Sequence, residues 1–146
     1  MDNKDYKYYV ELCDKQDYER IFPNEEEMEK SRKFYKENGF HYEDIWNLDR
    51  TIIKFILPRL AYFREHHDST PNPIWDMLKM AFSDEEINSG KYDKEVEECW
   101  CEKITEILDG FEIYLIRDEQ EWTQEDKIAI DKAWDNFRKY FKYFWN

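Results

Sequence analysis

A chain of 146 residues that is 41% hydrophobic and 18% aromatic can bury one core without disulfide or metal staples, and is too apolar to stay disordered despite its 39% charge. Its net charge of −13 repels nucleic-acid phosphates and suits a basic partner. Three cysteines with no signal peptide fit reduced thiols in a cytosol, and the lack of any run of about 18 apolar residues argues against a membrane span.

With only three Gly and four Pro, and many Glu, Lys and Ile, the composition favours helices over a sandwich or barrel. The expected class is all-α: one domain over residues 1–146, a bundle of about five helices. Residues 1–22 hold the apolar pieces "YKYYVEL" and "YERIF", read as one short helix, with a strand as the weaker option. "PNEEEMEKSRKFYKENGF" is a clearer helix. Asn24 can cap it, Glu27 completes a capping box, and Gly39 supplies the left-handed stop. Glu25, Glu26 and Glu27 sit at the positive end of its dipole and Arg32, Lys33 and Lys36 at the negative end.

"DIWNLDRTIIKFILPRLAYF" predicts a helix from near Asp44 to near Glu65. On a helical wheel Leu48, Ile52, Phe55, Ile56, Leu60 and Phe63 share one wide sector, and Asp49 and Arg59 fall inside it. Ten residues apart, roughly 15 Å of rise, the two charges cannot meet along a straight helix. Each then needs a partner from another element, since an unpaired buried charge costs several kcal/mol. Either they make structural ion pairs that fix the helix, or they line an internal pocket. Pro58 removes the backbone donor to Lys54 and predicts a kink.

"HHDSTPNP" is a loop, and its adjacent His66 and His67 diverge. "PIWDMLKMAF" reads as a helix begun near Pro73, with Trp75, Leu78 and Phe82 at helical spacing. Ser83 and Glu86 offer a second capping box, before a turn at "INSGKYD". Residues 92–116 form a long helix whose stripe is Val96, Trp100, Ile104, Ile107 and Phe111. Glu95, Glu98, Glu102, Glu106 and Asp109 share another face, roughly 150° from that stripe. Like charges at this spacing cost a few tenths of a kcal/mol each, so helix stability does not account for the row. It is a solvated face or a docking face for a basic surface. Cys99 and Cys101 point about 160° apart on this helix and cannot share a metal; they read as ordinary helix cysteines.

Thr123 and Asp126 cap the last helix, whose stripe is Ile130, Trp134, Phe137, Phe141 and Phe144. These aromatics read as core rather than as a stacking platform for nucleic acid, and Arg138, Lys139 and Lys142 suit the helix end. The chain has no Gly-rich phosphate loop, nucleophile elbow, dinucleotide fingerprint or Glu-x-x-His pair. No catalytic residue, cofactor or metal is assigned, and an enzyme is the least supported class.

The segment "GFHYEDIWNLDRTIIKFILPRLAYFRE" resembles a family of small proteins encoded by tailed bacteriophages and related mobile elements. Its members carry a WNLD-type motif followed by a FILPRL-type motif, here Trp46-Asn47-Leu48-Asp49 and Phe55-Ile56-Leu57-Pro58-Arg59-Leu60. "EKITEILDGFEIYL" and "AWDNFRKYFKYFWN" resemble the family's long helix and aromatic C-terminus, so the likeness covers residues 39–146 and leaves 1–38 outside. The family has no settled activity. The resemblance implies a phage context rather than a reaction, and marks Trp46, Asn47, Asp49, Pro58 and Arg59 as family-like, with Trp46, Asn47, Asp49 and Arg59 the candidate binding residues.

The expectation is a small acidic protein that acts by binding in the cytoplasm of an infected bacterium. Its candidate partner is a host protein with a basic surface, such as a defence component. One alternative sequesters a signalling nucleotide, in a pocket holding Arg59 and an aromatic such as Trp46. Another is a virion or assembly component. No membrane or nucleic-acid partner is expected, and the oligomeric state stays open.

Overall fold

The computed structural model describes residues 4–17 and 24–145. Among them are seven α-helices and no strand: α1 (Tyr6–Asp17), α2 (Glu25–Asn38), α3 (Leu48–His66), α4 (Asn72–Lys79), α5 (Asp84–Asn88), α6 (Asp93–Ile116) and α7 (Gln124–Tyr140). The class is all-α; the count exceeds the expected five because α4 and α5 are separate short pieces of 8 and 5 residues. The "YERIF" piece lies outside the described residues.

Local chemistry sets the helix ends. Asn24 accepts from Glu27 N at 2.9 Å, and Gly39 closes α2 at φ 79°, a conformation glycine adopts at no steric cost. Ser83 with Glu86 and Thr123 with Asp126 form reciprocal capping boxes. The opening of "DIWNLDR" departs from a single helix: Tyr42–Ile45 is a 3-10 turn, Trp46 and Asn47 form a turn, and α3 starts at Leu48.

The core is built on α6. Val96, Trp100, Ile104, Ile107 and Phe111 are all buried, as their spacing predicts, together with Leu108 and Leu115. This helix packs against α7 and α3, α4 adds to it, and α1 lies on α3. Tyr9 and Cys13 of α1 are buried in the same core. By contrast α2 buries only Ser31 and leans on the 3-10 turn, its Phe34 ring edge-on to Phe40 and Tyr42. No helix among the described residues is long and apolar enough to cross a membrane.

Two expected faces need correction. In α3 the buried positions are Ile53, Leu57, Leu60, Ala61 and Arg64, a face about 120° round the helix from the sector expected. Leu48, Ile52 and Phe55 are exposed, and so are Asp49 and Arg59. The helix is apolar on two sides, so periodicity alone cannot choose between them. Contact with α1 and α6 decides. In α7 the stripe holds at Ile130 but not throughout: Ala133 and Tyr140 are buried, while Trp134 is partly and Phe141 64% exposed. The face that packs inward runs through Ile130, Ala133 and Tyr140, and on the helical wheel Trp134 and Phe141 lie at its edge. The chain then passes into a 3-10 turn at Phe141–Tyr143, and Phe144 lies against Phe63 and Trp100 at ring distances of 5.9 and 5.8 Å.

Candidate functional site

The WNLD motif sits where α3 begins, beside the end of α6. Trp46 and Asn47 are exposed. Asp49 is exposed as well, yet it has the cross-element partner that was expected: Tyr114 Oη donates to its Oδ2 at 2.6 Å. Next to it Arg50 donates to Gln16 Oε1 of α1 at 3.3 Å and to the Leu115 carbonyl. Asp49 and Arg50 together tie the first turn of α3 to the last turns of α6. The bond from Tyr114 holds the Asp49 carboxyl below its ordinary 3.8, and the same bond pushes the Tyr114 hydroxyl up to about 12.

A depressed carboxyl value stabilises the fold above the ordinary carboxylate range, and this is lost as pH falls through the lowered value. The raised tyrosine value stabilises below pH 10 and is lost as pH rises towards 12. A double-mutant cycle with Asp49→Asn and Tyr114→Phe is expected to return a coupling of about 1 kcal/mol or less at pH 7, discounted for the exposure of both groups. The coupling is expected to fade as pH drops through the lowered Asp49 value. Urea unfolding of the four proteins measures it.

Arg59 is corrected more fully. It does not face the core, and among the described residues no hydrogen bond or ion pair joins it to another element. Its Nη1 donates to the Phe55 carbonyl of its own helix at 2.9 Å, and its guanidinium lies 3.8 Å from the Phe55 ring centroid. Pro58 lies inside α3, which continues past it. The Lys54 carbonyl that the proline leaves without a backbone donor accepts from the Cys13 thiol at 3.6 Å. Arg59 and Pro58 also line an open groove of about 440 Å³ with Tyr6, Val10 and Tyr62. Trp46 does not line that groove.

The acidic row on α6 divides. Glu95, Glu98 and Glu102 are exposed; Glu98 meets Lys94 at 3.5 Å, and neither Glu95 nor Glu102 forms an ion pair among the described residues. Glu106 turns inward instead. It meets Lys132 of α7 at 2.8 Å, Lys103 at 3.3 Å and the Asn136 amide. Burial alone would raise its value; the bonds from Lys132 and Asn136 and the Lys103 charge outweigh it and hold the carboxyl low. Asp109 is half-buried, and burial followed by the charge of Glu112 pushes its carboxyl up. The cause of the division is α7, whose Lys132 and Asn136 cover the end of the row at Glu106.

The fold also assembles a polar cluster that the sequence reading missed. Arg64 of α3 and Glu112 of α6 are both buried. Glu112 accepts from Lys4 Nζ at 2.9 and 2.8 Å and from Tyr8 Oη. Arg64 donates to Thr105 Oγ1 at 2.9 Å and to the Lys4 carbonyl. Asp109 feels both charges. A signal was present: Arg64 continues the spacing of Leu57, Leu60 and Ala61, and Glu112 lies four residues after Leu108 and three before Leu115. Among the described residues no group of three or more His, Cys, Asp and Glu could hold a metal, and burial pushes the Cys99 and Cys101 thiols up, away from reactive thiolate.

Compared with models of known protein families, with curated proteins and with solved structures, the chain finds no match.

Proposed function

We propose that this chain is a phage-encoded protein that acts by binding a basic protein of the infected bacterium, a defence component being the candidate, in the host cytoplasm. One observation carries the reading. Glu95, Glu98 and Glu102 stand exposed on successive turns of α6, in a chain of net charge −13. The row costs the helix a little, and it offers a basic surface a steering field and a line of acceptors. The phage origin rests on the WNLD and FILPRL motifs.

The test is capture from host lysate by the wild type and by a Glu95→Lys, Glu98→Lys, Glu102→Lys variant. Glu106 is left intact because it ties α6 to α7. The expected result is a basic partner that the variant loses by at least about tenfold, and that the wild type releases as salt rises. Equal capture of that partner by both proteins removes the reading. A second reading, sequestration of a small nucleotide, has one observation in its favour: Arg59 shares its groove with Tyr6 and Tyr62. Its signature is thermal stabilisation by a nucleotide that Arg59→Ala abolishes.

A further inference from the structure

The outer face of α3 has a pattern that a merely solvated face does not need. Leu48, Ile52, Phe55, Arg59 and Tyr62 follow one another at steps of 4, 3, 4 and 3. That is the a/d spacing of a seam between two helices. The four apolar members are between 45% and 61% exposed, and Arg59 is exposed among them. The opposite side of the helix is already filled by Ile53, Leu57, Leu60 and Ala61 packed in the core. So α3 carries a second apolar row; Tyr6 of α1 meets its Tyr62 end edge-on, and Leu48, Ile52 and Phe55 stay exposed.

We propose that the second face is covered by α3 of a second copy of this chain, running antiparallel about a two-fold axis. Charge complementarity selects this occupant. Antiparallel a/d layers set Leu48 against the partner's Arg59 and Ile52 against the partner's Phe55. The same register brings Asp49 beside the partner's Arg59, and symmetry makes that contact twice. Within one helix these two charges are roughly 15 Å of rise apart; between two copies they meet. Both have capacity left. The Tyr114 bond uses Asp49 Oδ2, and a carboxylate has further acceptor sites. The Phe55 bond uses one of the five guanidinium donors of Arg59, which the ring contact already holds in place. The interface is balanced in charge although each chain carries −13, so salt screens the overall repulsion and leaves the apolar seam intact. This pairing strengthens with salt, whereas binding through the acidic turns of α6 weakens. The two surfaces are separate, and each test can fail without the other.

Sedimentation equilibrium of the full chain tests the pairing, with circular dichroism as the check on folding. The expected result is a dimer at micromolar concentration that tightens as salt is raised. Phe55→Glu and Arg59→Asp are each expected to weaken it by about 100-fold, since every change counts twice across the axis. The double variant Asp49→Arg with Arg59→Asp is expected to regain most of the affinity. A wild type monomeric at about 100 μM overturns the proposal, as does a dimer indifferent to Phe55→Glu. A dimer that Arg59→Asp weakens and the charge exchange fails to restore also overturns it, because the register is then wrong.

Discussion

Gly110→Ala is expected to destabilise the protein by about 2 kcal/mol, although helix propensity alone predicts a gain of about 1 kcal/mol. The opposite sign comes from how closely α6 approaches α7. A Cβ built on Gly110 lies 2.5 Å from the Ala129 carbonyl oxygen and closer still to the Ala133 methyl group. Neither neighbour can rotate away: one is backbone and the other is the shortest side chain that has a Cβ. The helices must separate, and the separation loosens Ile107, Phe111 and Ala133, all fully buried. Gly110→Val is expected to cost more, because its branched side chain adds two methyl groups at the same point. Urea unfolding with an unchanged m-value measures both. A stabilised Gly110→Ala protein would mean that α6 and α7 do not touch there.

The second large effect is expected at Glu112. Its carboxylate gathers Lys4 and Tyr8 of the N-terminal segment inside the cluster that holds Arg64. Glu112→Ala leaves the exposed Lys4 ammonium and the part-buried Tyr8 hydroxyl without this acceptor, and removing one member of a fully buried pair costs about 3–5 kcal/mol. Lys4 is two-fifths exposed, so water recovers part of its loss and the value should fall near 3 kcal/mol. A second readout separates charge from packing. Burial and then the charge of Glu112 keep the Asp109 carboxyl high. Glu112→Gln should therefore let Asp109 titrate at lower pH, followed by NMR of its side-chain carbon. A raised carboxyl value favours the fold below the ordinary carboxylate range and is lost as pH rises through the raised value. Asp109 thus opposes Asp49 in its pH dependence, and Glu112→Gln should shrink that opposition. An Asp109 titration unmoved by Glu112→Gln counts against the coupling.

The fold class was legible because the signals behind it are local. Ser83 with Glu86 and Thr123 with Asp126 announce helix starts within four residues. The stripe from Val96 to Phe111 lies on a helix whose apolar side is single and unambiguous. The orientation of α3 was not legible for the opposite reason. Leu48, Ile52 and Phe55 make as good a stripe as Ile53, Leu57 and Leu60, and Arg64 on the true inner face argues wrongly against it. Only tertiary partners settle the matter: Thr105 and the Lys4 carbonyl satisfy Arg64, and neither is near it in sequence. In the candidate site Asp49 and Arg59 do not pair with each other along their helix, and Asp49 finds its partner on α6. Arg59 finds its acceptor one turn back on its own helix, a local bond that an arginine on an exposed face can make.

The thiol of Cys13 has a wider consequence. A proline inside a helix interrupts the ladder, and here the missing donor is lent by another segment, α1. That loan fixes where the molecule can be cut. A chain trimmed to residues 39–146 would lose in one stroke the thiol donor to the Lys54 carbonyl, the Lys4 and Tyr8 partners of Glu112 and the buried Tyr9 ring. The first helix is therefore part of the folding unit, and it props α3 at the one carbonyl that Pro58 leaves without a backbone donor.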